Sequence, residues 1–212
     1  MFEIEYKGGN TVVITTKKAT LIADPKQSVV GLKDILVKDV IEVATEPRFA
    51  INGQDSLLSI EGPGEYEISD FSIRGISAHR HLDADENEER LSTIYRVEVG
   101  EARIAILGNV ASKLSEDQLE QIGVIDILVV PVGGNGYTLD ATSAVAITGQ
   151  IDPKAVIPVH YADDGLKYEV QQDHLDVFVK ELGSPLETVS KYKVKGAASL
   201  PTSLTVIEIT RS

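Results

Sequence analysis

His160 closes the β-branched run 156–161, Val-Ile-Pro-Val-His-Tyr. A short buried strand ending there delivers an imidazole to the carboxyl end of a sheet, where α/β proteins gather ligands and reacting groups. A histidine beside a tyrosine at a strand end also serves as a hydrogen-bonded structural residue, so its company decides its role. His79 and His81 are two residues apart and face one side of an extended backbone. The segment His79-Arg80-His81-Leu82-Asp83 has the His-x-His-x-Asp spacing of a metal-binding stretch. With His160, these two histidines would give three ligands for one zinc or manganese ion, as a catalytic zinc requires when one position stays open. Against that, Asp83, Asp85, Glu86, Glu88 and Glu89 crowd the same segment and favour a solvated loop with exposed histidines.

Other motifs have plainer readings. Gly133-Gly134-Asn135-Gly136 resembles a phosphate cradle in composition but lacks the Gly-Lys-Ser/Thr ending that binds nucleotide phosphate and magnesium. Tyr137 and Thr138, which follow it, are candidates to line a pocket. Asp24 before Pro25 reads as a turn-starting residue, and Asp140 as a helix cap. No Gly-x-Ser-x-Gly segment points to a serine hydrolase.

These residues lie in a chain of 212 with 42% hydrophobic and 25% charged positions, enough to bury one sizeable core, and a single domain over residues 1–212 is expected. Cysteine is absent, which removes thiolate nucleophiles and thiolate-held zinc together. A net charge of −13 without a basic run disfavours nucleic acid as a partner. No apolar run reaches the roughly 20 residues of a bilayer span, and residues 1–6 lack the pattern of a signal peptide. The expectation is a soluble, cytoplasmic protein whose partner is a small molecule or another protein, with a homo-oligomer as a further option.

The elements that must position these residues follow from local patterning. Alternation predicts strands at 2–6, 11–16, 19–23, 39–44, 56–60 and 71–78, with a tight turn at 62–66. A hairpin at 92–99 and 102–107 turns on Gly100-Glu101. Ser115 caps a helix to 122 and Asp140 a helix to about 150; further strands fall at 126–131, 156–161 and 204–209, with a helix at 171–182 that exposes His174. The pattern is α/β (α+β), with helices over the outer faces of two packed sheets.

The order of motifs then becomes informative. Gly8-Gly9-Asn10, Asp24-Pro25, Gly62-Pro63-Gly64-Glu65-Tyr66, Thr93-Ile94-Tyr95, Gly108-Asn109, Pro131-Val132-Gly133-Gly134 and Ile157-Pro158-Val159-His160-Tyr161 resemble the metallo-β-lactamase superfamily, in its ascorbate-phosphate lactonase-like branch. The resemblance covers nearly the whole chain. It implies a four-layer αββα sandwich with an active site at one sheet edge, where Asp24, Thr45, Asn109, Tyr137 and His160 should converge.

It also implies a metal motif, His-x-His-x-Asp-His, and an ungapped reading lays that motif on residues 45–50. Thr45, Pro47, Phe49 and Ala50 stand in the ligand positions, and Asn109 replaces the bridging Asp. Only His160 matches a ligand cleanly. The remaining family histidine falls on Arg80, or on His79 or His81 with a shift of one. The expectation is therefore a fold without the ordinary binuclear centre and with no cofactor, repurposed for binding, with residues 45–50 filling the old cavity and Asp24 pairing with Arg48. The alternative is a lactone or phosphoester hydrolase with one zinc or manganese ion on His160 and the His79/His81 segment.

Overall fold

The computed structural model describes residues 1–52, 55–81 and 91–212. Fourteen strands are described: β1 (Phe2–Gly8), β2 (Thr11–Thr15), β3 (Thr20–Ala23), β4 (Ile41–Val43), β5 (Leu58–Ile60), β6 (Gly64–Ile68), β7 (Phe71–His79), β8 (Leu91–Val99), β9 (Ala102–Ile106), β10 (Ile127–Pro131), β11 (Ala155–Val159), β12 (Leu186–Val189), β13 (Tyr192–Val194) and β14 (Thr205–Ile209). Three α-helices join them: α1 (Glu116–Ile122), α2 (Ala141–Ile151) and α3 (Leu175–Leu182).

The strands form two sheets, one of six in the order β13-β1-β2-β3-β4-β5 and one of eight in the order β12-β14-β11-β10-β9-β8-β7-β6. Their period-2 patterns dictate how they pack. Ile4, Ile14, Leu21 and Ile41 point inward from the six-stranded sheet and meet Tyr95, Val97, Ile104, Val129 and Ile157 of the other in one buried cluster. The second face of the larger sheet, carrying Ile94, Leu128, Val130, Val156 and Val206, is buried by Ile122 of α1, Ile147 of α2 and Phe178 of α3. All three α-helices thus contribute to this one layer. On the outer face of the six-stranded sheet, Ile35 packs on Val13, Ile22 and Val40.

Local chemistry sets the helix ends as expected. The Ser115 side chain accepts from the Gln118 amide in a reciprocal capping box, and Asp140 accepts from the Ser143 amide at 2.7 Å. Other expectations need correction. The turn expected at 62–66 is confined to its start, because from Gly64 onward the chain pairs with β7 in the register Gly64↔Gly75 and Tyr66↔Ile73. β12 and β13, unforeseen, are edge strands, and β13 crosses to the other sheet to pair with β1. Residues 171–174 precede α3: Asp173 donates its amide to Gly133 O at 2.7 Å and accepts from Ala162 N at 2.9 Å, bonds that hold this segment in a loop.

Candidate functional site

The parallel pairing of β10 with β11 sets Pro131 opposite Val159, so both strands end together and His160 follows at once. Its amide donates to Gly9 O at 2.8 Å, tying the end of the larger sheet to the β1–β2 turn of the smaller one. His160 has φ +51° and Asp24, just after β3, also has φ +51°. That left-handed backbone is uncommon outside glycine and costs free energy, which the surrounding packing must offset.

The His160 ring is enclosed. Tyr137 stacks on it at 5.2 Å and Tyr168 tilts against it at 4.7 Å. Nδ1 lies 3.1 Å from Gln172 Oε1, and because the Gln172 amide nitrogen donates to Val170 O, that oxygen is an acceptor and Nδ1 carries the proton. Burial, only partly offset by Gln172, lowers the His160 pKa to about 4. Gly133 is required beside it, since a Cβ there would sit 2.2 Å from His160 O and 2.3 Å from Gln172 Oε1. The Gly133–Gly136 loop therefore packs against the histidine. Thr138 is fully buried, and Tyr137 covers His160.

Asp24 binds the chain after β4. Its Oδ1 accepts from the Thr45 amide and its Oδ2 from Thr45 Oγ1, both at 2.7 Å. Thr45 in turn backs onto Gly108, where a Cβ would approach its own Cβ to 2.5 Å. Burial raises the Asp24 pKa to about 7 against the lowering effect of the two Thr45 hydrogen bonds. The expected pairing of Asp24 with Arg48 is thus replaced by bonding to Thr45. Arg48 instead turns to Glu46, a residue the sequence reading did not single out.

Glu46 is 3% exposed and is the hub of the edge. Its Oε2 lies 2.9 Å from Arg48 Nε and 3.2 Å from Arg80 Nε, while Oε1 accepts from Arg48 Nη2 at 3.2 Å and from Asn109 Nδ2 at 3.0 Å. The two Nε contacts are close ion pairs out of line for hydrogen bonds. Arg48 is fixed in plane, its guanidinium 4.7 Å from the Phe49 ring centre and 5.0 Å from that of Tyr137. Asn109, 0% exposed, also accepts from Asn10 Nδ2 at 3.3 Å. Phe49 is buried against Asp24, Asn10 and His160, leaving a residual cavity of about 10 Å³, near the lower limit for one water. Pro47 is exposed.

Asp24, Thr45, Asn109, Tyr137 and His160 thus lie along one sheet edge, linked through Asn10, Glu46, Arg48 and the β1–β2 turn. His79 does not join them. As the last residue of β7 it is exposed and lines a small surface pocket with Val110, Lys113 and Gln118. His81 donates its amide to Asn109 O. Asp83 lies outside the described residues. Among the described residues, no three His, Asp or Glu side chains are grouped to hold a metal ion. The alternative set of His79, His81 and His160 is therefore not grouped as three ligands among the described residues: Arg80 pairs with Glu46, His79 faces outward, and His81, its Nδ1 buried without a described partner, lies near enough to Asp140 to act on it electrostatically.

The shifted Asp24 pKa yields a prediction. A carboxyl raised to about 7 contributes stability that is complete below its unfolded value near 3.8 and is lost as pH rises through about 7. Asp24→Asn should therefore gain stability relative to the parent between pH 4 and 7, by at most about 1.4 kcal/mol per pH unit. Urea unfolding of both proteins across that range measures it; a pH-independent difference would mean that Asp24 ionises as an ordinary carboxyl.

Comparisons with known proteins fit this geometry. A family model described as a beta-lactamase superfamily domain matches residues 3–160. A curated relative from Natranaerobius thermophilus, described as a UPF0173 metal-dependent hydrolase, is 36% identical over 78 residues, which are 32% of this chain and 35% of that protein. The match thus spans about a third of the relative's length. Among solved structures, one from Thermotoga maritima described as a Zn-dependent hydrolase of the metallo-beta-lactamase superfamily has a TM-score of 0.78 at 21% identity, over 99% of this chain and 100% of that one. Igni18, a metallo hydrolase from Ignicoccus hospitalis, has a TM-score of 0.62 at 15% identity, over 98% and 95% of the two chains. At these identities the structural likeness establishes the fold.

Proposed function

This chain belongs to the beta-lactamase superfamily, and from that premise we propose that it keeps the superfamily's hydrolase-like sandwich while its former metal edge serves as a binding site. The observation that carries this reading is the Glu46–Arg48–Arg80–Asn109 network. It occupies the edge where the resemblance to the superfamily implies a metal site, and it engages the Glu46 carboxylate with guanidinium groups and the Asn109 amide.

The donor set does not fit a binuclear centre. Two divalent ions sharing a bridging hydroxide need imidazoles and carboxylates with free lone pairs. Here Thr45, Pro47, Phe49 and Ala50 occupy the motif, both Asp24 oxygens are engaged by Thr45, and Asn109 directs its amide at Glu46. Two cationic arginines at the same edge further repel a metal ion. His160, held by Gln172, is a neutral imidazole walled in by two tyrosines. No hydrolytic step is derived through a metal.

A reduced site holding one zinc or manganese ion is the second reading. The description of the Natranaerobius thermophilus relative as a metal-dependent hydrolase favours it. Elemental analysis of protein purified without a metal-binding tag, before and after loading with zinc or manganese and dialysis, separates the two. The expected result is well below one equivalent in both states. Retention near one equivalent, lost in His160→Ala and His81→Ala, would overturn the binding-site reading and establish the second.

A further inference from the structure

The end of the sandwich away from His160 carries a separate feature. β1 starts there at Phe2 and β2 ends there at Thr15, and the β8–β9 turn lies close, since a Cβ on Gly100 would stand 4.0 Å from the Met1 nitrogen. Along β13 and its flanks Lys191, Lys193 and Lys195 are exposed while Tyr192 and Val194 are buried, so the three lysines share the outer face of the six-stranded sheet. The register Glu3↔Lys193 and Glu3↔Thr15 brings β13, β1 and β2 side by side. Where they end, Met1, Phe2, Thr15, Lys17, Lys193 and Lys195 surround an open cavity of about 480 Å³, within the usual range of small-molecule sites.

Charge and surface at this cavity suit two parts of one ligand. Glu3, which also lines it, is held by Lys191 at 3.0 Å, and Glu5 shares that lysine and takes Lys7 at 2.9 Å, so these four charges cancel. Lys17, Lys193 and Lys195 make no ion pair among the described residues. Two acids flank the site: Asp70 accepts from Thr16 Oγ1 at 3.1 Å and Glu101 from the Ala197 amide at 3.4 Å. With Lys18 beside Lys17, four cations then face two carboxylates, a local reversal of sign in a chain of net charge −13. The acidic residues 83–89, outside the described residues, are flanked by His81 and Leu91 at the His160 end; β8 runs from Leu91 to Val99 towards the cavity, about 27 Å along the strand. Most of the lining is apolar, supplied by Met1, Phe2 and the lysine stems.

We propose that this cavity binds a small amphiphilic anion, an apolar body of several carbons ending in one anionic group, with the group among the lysine ammoniums and the body on Met1, Phe2 and the lysine stems. Lysine is a compact charge without the fork that selects the shape of an anion, so charge and apolar body define the ligand. The site is remote from the Glu46 network and does not depend on the reading of that edge.

Met1 is the one methionine of the chain, so the full-length protein labelled with ¹³C at methionine methyls carries a single NMR reporter in the cavity. Titration with octanoate at fixed ionic strength is expected to shift that signal saturably. Octanamide, the neutral counterpart, should bind at least several-fold more weakly, and acetate and inorganic phosphate, which lack the body, should leave the signal in place. The double variant Lys193→Gln/Lys195→Gln, altered only at exposed positions, should keep its fold and lose fivefold or more in octanoate affinity. No shift with octanoate, an equal response to octanamide, acetate or phosphate, or undiminished binding in the double variant would overturn the proposal. Sedimentation with vesicles of phosphatidylglycerol and phosphatidylcholine, lost in the double variant, would assign the lysines to a lipid surface and overturn it as well.

Discussion

Glu46→Ala is expected to lower the unfolding free energy by about 3–5 kcal/mol, the largest single effect at this edge. The change removes the one carboxylate between two guanidiniums and leaves both cations without their shared anion. It also strands the Asn109 amide, whose carrier is fully buried; an unpaired buried donor alone costs about 1–3 kcal/mol. Arg48 and Arg80 keep some contact with water, so the ionic share lies toward the lower end of what a fully buried pair would lose. Chemical denaturation of parent, Glu46→Ala, Arg80→Met and the double variant measures it. The cycle should show that Arg80→Met costs much less once Glu46 is gone, because the remaining cation no longer opposes a second one. A loss under about 1 kcal/mol in Glu46→Ala would mean the network is a surface ion pair of the ordinary, weak kind.

The second large effect concerns Asn109, on which the resemblance lays the superfamily's bridging carboxylate. Asn109→Asp restores that group chemically, yet it is expected to destabilise the protein by about 2–4 kcal/mol at pH 7 and to produce no lactonase or phosphodiesterase activity. The Asn109 nitrogen now donates to Glu46 Oε1 at 3.0 Å. A carboxylate oxygen in its place would face another carboxylate at that distance, where repulsion at an effective dielectric near 20 reaches about 5 kcal/mol before relaxation. Protonation relieves it, so the deficit should shrink as pH falls towards 5 and the pair takes up one proton. Unfolding measured at pH 5 and pH 7 tests the sign. Chelator-sensitive hydrolysis in Asn109→Asp above the parent level would refute the reading of an edge repacked without a metal site.

Both effects turn on Glu46, and its obscurity in the sequence is instructive. Glu46 falls between Thr45 and Pro47, at a position the superfamily's motif leaves unspecified, and its partners Arg80 and Asn109 lie 34 and 63 residues further on. Local rules see a polar loop residue. The same rules saw Arg48 but assigned it to Asp24, because nothing in the sequence shows that the 3₁₀ turn Pro47–Phe49 carries the Arg48 side chain back towards Glu46. The one available signal was Arg80, on which an ungapped reading of the resemblance lays a family histidine, with His79 or His81 as the alternatives: a cation at a cation site implies a buried anion nearby.

What the sequence determined by itself was set by short-range physics and by motif order. Alternating apolar residues placed the principal strands, Ser115 and Asp140 capped their helices through bonds three residues away, and the succession of glycine-rich turns predicted that Asp24, Thr45, Asn109 and His160 share an edge. That Pro47, Phe49 and Ala50 offer no metal donor was likewise legible. Tertiary structure decided the rest. β13 leaves the sheet of its neighbour β12 to pair with β1 at the edge of the other, and Gly133 is glycine because His160 and Gln172 close on it from distant segments. Which histidine or arginine reaches the site is fixed by strand parity at the end of β7, where His79 faces outward and Arg80 inward to Glu46. A one-residue shift in that parity would exchange a metal ligand for a guanidinium, and the sequence leaves both readings open because pairing with β8 and the Arg80–Val110 bridge set the register from outside the segment.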